Sequence, residues 1–208
     1  MGAAMGQDPR RVEEVTRWVV DVADGKPVWS KMTPNITDIT IPARAALAGG
    51  ADGVSAFNTI LASIGINLKT LRPQPTVQGF STYGGYSYLA VKPIALRMVS
   101  EIARQVPDLT ISGIGGVTCS IDAIEHILVG ADTVQSCTGP MLQGFGMVEE
   151  LIEGTLAFME QHGFETLEDF RGTSLQYFTT HHHLVELQAE KKALQAAKLA
   201  NKDTEWGK

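Results

Sequence analysis

Four short apolar runs, each ending in polar or glycine residues, alternate along this chain with longer stretches whose apolar positions recur every three or four residues. The runs are Pro27–Met32, carrying Lys31 near its end; Ala51–Phe57, ending in Asn58-Thr59; Leu109–Ser112, leading into Gly115-Gly116; and Asp132–Ser136, followed by Cys137-Thr138-Gly139. Between them, Val12, Val15, Trp18, Val19 and Val22 mark a helix over 9–24 that Gly25 ends. Further helices are expected from Thr37 or Asp38 to Leu47, from Pro93 to about Gln105, from Ser120 to Val129 and from Met147 to His162. Strands alternating with helices imply right-handed βαβ units and a parallel sheet. A doubly wound sheet satisfies that alternation. The gathering of polar and glycine residues at every strand's carboxyl end favours half of a (β/α)8 barrel, because barrels build their sites on that face.

A chain of 208 residues with 44% hydrophobic content suffices for one packed domain, or one and a half. Between Thr59 and Pro93 runs a stretch with Pro73, Pro75, Gly79 and Gly84-Gly85 that is too long for a plain connector and reads as irregular. The last 45 residues change character, so two parts are expected, residues 1–163 as the α/β core and 164–208 as a partly helical extension. Its Leu184–Asn201 stretch, with Lys191-Lys192, reads as a solvated or partner-contacting helix.

A net charge of −6 and a pI near 5.3 argue against nucleic acid or an anionic membrane as partner. No apolar run approaches the roughly 18–20 residues of a membrane span, and no charged segment leads into an apolar one at the start, so a cytoplasmic protein is expected. The two cysteines, Cys119 and Cys137, form no Cys-x-x-Cys pair, which leaves no ligand set for an iron-sulfur cluster. Three consecutive histidines, His181 to His183, do not share one face and have no acidic partner at ligand spacing, so no metal site is expected.

The polar strand ends each admit two readings. Gly115-Gly116 can make a tight turn or expose backbone N–H groups to a phosphate; a second such end at Cys137-Thr138 favours phosphate, since barrels often bind it after their last two strands. Lys31, ending an apolar strand, can pair with a structural carboxylate or face the electron-rich edge of a reduced flavin. Asn58-Thr59 can cap a turn or hydrogen-bond a heterocycle with alternating C=O and N–H groups. Cys137 on its own reads as structural.

Five segments together carry a resemblance: KMTPNITDI (31–39), ADGVSAFNT (51–59), TYGGYSYLAVKPIALRMV (82–99), SGIGGV (112–117) and GADTVQSCTG (130–139). In this order and spacing they resemble the FMN-binding domain of the dihydropyrimidine dehydrogenases, and more closely the bacterial NAD-dependent catalytic subunits, relatives of dihydroorotate dehydrogenase. The resemblance covers about residues 1–170. It implies a (β/α)8 TIM barrel with FMN over its carboxyl face, of which this chain carries about the last four β/α units plus a helical tail. Position by position it implies FMN contacts from Lys31, Tyr88, Ile114, Gly115, Gly116, Cys137 and Thr138, and pyrimidine contacts from Asn58 and Thr59. The implied activity is an oxidoreductase that reduces the 5,6 double bond of uracil or thymine in pyrimidine catabolism. Electrons would come from NAD(H) through a flavin and iron-sulfur partner subunit in an oligomeric assembly. The alternatives are an FMN- or phosphate-binding half-barrel without turnover, or a dihydroorotate dehydrogenase-like oxidoreductase.

Three departures from the family pattern stand out. Tyr88 occupies the last glycine position of Gly-Gly-x-Ser-Gly, leaving a backbone N–H there. Trp29-Ser30 replaces aliphatic residues before the lysine. On the resemblance, Met1 falls where the family's barrel is half built, and neither cysteine matches the proton-donating one. No catalytic residue is therefore expected within these residues, the chain reads as a fragment, and on its own it is expected to self-associate or be unstable, since open strand edges invite pairing.

Overall fold

The computed structural model describes the backbone of residues 2–205 and the side chains of residues 5–198. Helices α1 (Gly2–Gln7) and α2 (Pro9–Val22) lead into β1 (Trp29–Lys31), then α3 (Thr40–Ala48) and β2 (Gly53–Ala56). After a loop region with four further short strands come α4 (Lys92–Gln105), β7 (Thr110–Ile114), α5 (Ser120–Leu128), β8 (Thr133–Gln135), α6 (Thr138–Gln143), α7 (Met147–His162) and α8 (His181–Glu205). Asp8 caps α2 by accepting from the Arg10 N–H, with Pro9 in the first turn, and Asp38 accepts from both the N–H and the hydroxyl of Thr40 to open α3.

β1, β2, β7 and β8 form one four-stranded parallel sheet in that order, the arrangement expected of successive βα units of a barrel. The core lies between this sheet and α3 and α4, where Ile39, Ala43, Val54, Ala56, Met98, Val99, Ile102 and Ile111 are buried. Trp29 replaces an aliphatic residue for a local reason. A Cβ on its cross-strand partner Gly53 would come within 2.8 Å of the indole and 2.9 Å of the Thr110 carbonyl, so the glycine leaves the space that the ring fills. Ser30 beside it hydrogen-bonds Thr16 of α2 at 2.9 Å.

Two features differ from the sequence expectation. The stretch read as irregular contains β3 (Ile60–Ala62), β4 (Gly65–Asn67), β5 (Arg72–Gln74) and β6 (Gly84–Tyr86), paired antiparallel as β3–β6 and β4–β5. Asn67 makes the β4–β5 turn by accepting from the N–H groups of Lys69 and Thr70. Second, the compact unit runs from Met1 to Leu175, past the 163/164 boundary drawn from composition, and residues 176–208 form a separate unit. The physical reason is Phe170, wholly buried against Ile124 and Ile127 of α5 and flanked by Phe158, Met159 and Phe164. In the second unit, the described part of α8 is exposed throughout; His182 pairs with Glu186 and His183 bonds Thr179. Residues 206–208 of the expected extension lie outside the described residues.

Candidate functional site

The carboxyl ends of the four parallel strands are stitched together beyond the strands themselves. The Asn58 N–H donates to the Met32 carbonyl at 2.9 Å, and the Phe57 N–H to the Ile114 carbonyl at 3.0 Å. This brings Lys31, Asn58-Thr59 and the Ile114–Gly116 turn side by side. Asn35 then ties the loop after β1 to the Thr59 segment, its amide donating to the Thr59 carbonyl and accepting from the Leu61 N–H.

These ends surround a cleft that encloses about 160 Å³ and opens to solvent. All nine residues singled out from the sequence line it: Lys31, Asn58, Thr59, Tyr88, Ile114, Gly115, Gly116, Cys137 and Thr138. Lys31 is exposed at the end of β1, so its ammonium is not desolvated, and no carboxylate pairs with it among the described residues. The structural carboxylate considered for it is absent there. It contributes a positive charge to the cleft that no carboxylate among the described residues pairs with.

Gly115 and Gly116 have φ of +140° and +74°, both in the region that favours glycine. A Cβ on Gly116 would lie 2.6 Å from the Lys92 Cβ and 3.0 Å from the Tyr88 carbonyl, so the main chain approaches its neighbours as closely as it can. Ser87 reaches across to Thr138, hydroxyl to hydroxyl at 3.2 Å, and so joins the loop before α4 to the end of β8. Glycine main chain and two hydroxyls make a lining that suits an anion, with hydrogen-bond donors and no carboxylate among the lining residues.

Sequence reasoning missed three parts of the structure in and behind this site. Gln135 of β8 lines the cleft and donates through its amide to Ser55 of β2 at 2.9 Å and Ser112 of β7 at 2.7 Å, while Thr133 donates to Ser112 at 2.8 Å. The signal was present as a lone amide in an apolar strand. The second part is an ion cluster beneath the turn. The Lys92 ammonium lies 2.6 Å from Asp122 and 2.8 Å from Glu125, and Asp122 also accepts from the backbone N–H and hydroxyl of Thr118. Burial pushes the Asp122 carboxyl up, but hydrogen bonds from Lys92 and Thr118 outweigh it and hold the pKa at about 2. Those same two carboxylates, by hydrogen bonding, raise the Lys92 pKa well above its ordinary value. The third part is His126, discussed below.

Tyr88 carries a measurable consequence. Its backbone sits at φ +74°, ψ −155°, a region that is essentially glycine's and costs other residues of order 1–3 kcal/mol. Tyr88→Gly removes that strain against a flexibility cost of about 0.5–1 kcal/mol, so its thermal melt is expected to rise by a few degrees. A lower melting temperature would show that contacts of the half-buried phenol outweigh the strain.

Comparison with known proteins gives the chain a family. A family model described as dihydroorotate dehydrogenase matches residues 2–159. The chain is 54% identical over 195 residues to the chloroplastic dihydropyrimidine dehydrogenase (NADP(+)) of Arabidopsis thaliana, covering 91% of this chain and 46% of that protein. It is 43% identical over 175 residues to the catalytic subunit of dihydroorotate dehydrogenase B (NAD(+)) of Pyrococcus horikoshii, covering 84% of this chain and 55% of the relative. With the NAD-dependent dihydropyrimidine dehydrogenase subunit PreA of Escherichia coli it shares 41% identity over 174 residues, 83% of this chain and 42% of the relative. The chain belongs to the dihydroorotate dehydrogenase family, a family of TIM barrels. It spans about half the length of the curated relatives it matches. Among the described residues no helix is long and apolar enough to cross a membrane.

Proposed function

We propose that this chain supplies one side of an FMN and pyrimidine site in a dihydropyrimidine dehydrogenase, a pyridine-nucleotide-dependent enzyme that reduces uracil or thymine. The observation that carries the reading is a single cleft lined both by an unpaired cation, Lys31, and by the positive-φ main chain of Gly115-Gly116. A flavin nucleotide needs both, a positive group for its ring and donors for its phosphate. The residues fit the group: the cleft holds a charge that has no ion-pair partner among the described residues and a glycine turn that excludes any side chain.

FMN, when bound, supplies the hydride chemistry. The rest is the work of this chain's residues. Gly115, Gly116, Cys137 and Thr138 hold the phosphate mainly through the backbone, with Ile114 and Tyr88 beside them. Lys31 offers positive charge to the ring. Asn58, through its amide, and Thr59, through its hydroxyl, orient the pyrimidine by pairing with its carbonyl and N–H groups. Ser55, Ser112 and Gln135 fix the polar floor beneath. Neither Cys119 nor Cys137 is assigned the proton donation that must complete the reduction. Electrons reach the site from NAD(H) or NADP(H) through a flavin and iron-sulfur partner subunit or domain.

Pyrimidine reduction is preferred over dihydroorotate oxidation because the chain is 54% identical to the Arabidopsis dihydropyrimidine dehydrogenase against 43% to the Pyrococcus dihydroorotate dehydrogenase, a preference that the 41% identity to PreA does not add to. The deciding experiment offers reduced flavin enzyme uracil, thymine or orotate. Oxidation dependent on uracil or thymine is expected; dependence on orotate alone would transfer the chain to the dihydroorotate branch, and FMN retention with no turnover would leave it a binding half.

A further inference from the structure

His126 is wholly buried on α5, yet the site described above makes no use of it. Its Nε2 lies 3.2 Å from the Gly115 carbonyl, and its Nδ1 has no hydrogen-bond partner among the described residues. The Nδ1 side is closed by β7, where a Cβ on Gly113 would fall 2.6 Å from that nitrogen. His126 does not line the cleft; it stands behind the turn that does.

This geometry dictates the tautomer. A carbonyl only accepts, so Nε2 must carry the proton, and a neutral imidazole then leaves Nδ1 as a bare lone pair needing no partner. A protonated imidazole would place an N–H against Gly113 with nothing to accept it. We propose that His126 is a positioning residue for the anion-binding turn: its neutral imidazole draws the Gly115 carbonyl back toward α5 and keeps that oxygen out of the cleft, where it would repel a phosphate.

The inference rests on the FMN reading for the identity of the anion, and on nothing beyond this chain for the geometry. The charged groups facing His126 are Asp122 and Glu125 of its own helix and Lys92 of α4, which pairs with both carboxylates. Burial holds the imidazole's pKa below its ordinary value, opposed by the hydrogen bond to Gly115 and the two carboxylates. The folded state therefore refuses a proton that the unfolded chain accepts. Stability falls as pH drops from about 6.5 toward the depressed value, and anion affinity falls further down, where the folded imidazole itself gains a proton.

The test compares the full chain with His126→Gln, which keeps an N–H donor of similar reach, and His126→Leu, which keeps bulk and removes the donor. FMN affinity is followed by flavin fluorescence from pH 8 to 5, and the wild-type imidazole by ¹⁵N NMR. Expected are an Nε2–H tautomer, near wild-type affinity for His126→Gln at neutral pH and roughly tenfold weaker binding for His126→Leu. Acidification weakens binding in both proteins as the FMN phosphate, with its second pKa at about 6, takes up a proton, and the wild type should lose more affinity than His126→Gln. An Nδ1–H tautomer, unchanged affinity in a folded His126→Leu, or the same acid loss in His126→Gln would each overturn the proposal. Should the wild type bind no FMN, the flavin reading fails. The positioning role is then decided by the tautomer and by whether losing the donor moves the Gly115 and Gly116 amide resonances.

Discussion

Lys92→Met is expected to lower the stability of the α/β unit by about 3 kcal/mol at neutral pH, a drop in melting temperature of roughly 6–12 °C for a unit of this size. The substitution keeps the aliphatic stem and deletes the ammonium. Asp122, whose side chain is 5% exposed, is left charged with no cation, and Glu125 beside it adds repulsion. The pH dependence gives the sign. With its folded pKa at about 2 against an ordinary 3.8, Asp122 contributes stability that is present above 3.8 and is lost as pH falls through 2. In the variant the carboxyl loses that support and protonates at higher pH, so the gap between the two melting curves should close as pH is lowered toward 3. A small difference, or one that persists unchanged into acid, would show that Lys92 serves only as a packed stem.

Lys31→Met should leave folding nearly intact, because the side chain is exposed and makes no ion pair among the described residues. Its effect belongs to the bound flavin. A charge-assisted hydrogen bond to the ring is worth about 1–3 kcal/mol, which for a two-electron couple moves the midpoint potential about 20–60 mV more negative when it is lost. Reduction of the flavin by its electron donor should slow by about 10- to 100-fold through the same free energy, while hydride transfer from the reduced flavin to uracil should not slow. FMN retention should change far less, since the phosphate is assigned to the glycine turn and the end of β8. Loss of FMN in step with loss of rate would place Lys31 at the phosphate instead, and an unchanged potential would remove it from the ring.

The site was largely legible in the sequence because barrel-type units mark it with residue types that do not belong inside a strand. A lysine, an Asn-Thr pair, a double glycine and a Cys-Thr pair each close an apolar run, and chain connectivity brings such ends to one face. The supports behind that face were not legible. Lys92 and Asp122 are 30 positions apart, and their meeting depends on how α4 packs beside α5. His126, next to Glu125 on a short helix, has the local pattern of a surface residue, and only the register of α5 against β7 buries it. The three-residue strands of the loop region escaped notice because their side chains are exposed or half-buried and three residues are too few to establish a two-residue period. Phe170 looked like part of a mixed tail, since one aromatic among polar neighbours carries no periodicity, yet it closes the second core. Tyr88 was conspicuous as a substitution, and its backbone angles explain why glycine is at home there.

The measurement that reaches the central claim most directly is a titration of the chain with FMN, read by flavin fluorescence and repeated with Gly116→Ala. A methyl at that position would meet Lys92 and the Tyr88 carbonyl and would strain a φ of +74°. Saturable binding of one FMN per chain, weakened by inorganic phosphate and at least tenfold weaker in Gly116→Ala, is the predicted result. Absence of binding, or equal affinity in the two proteins, would contradict the assignment of this cleft to a flavin phosphate.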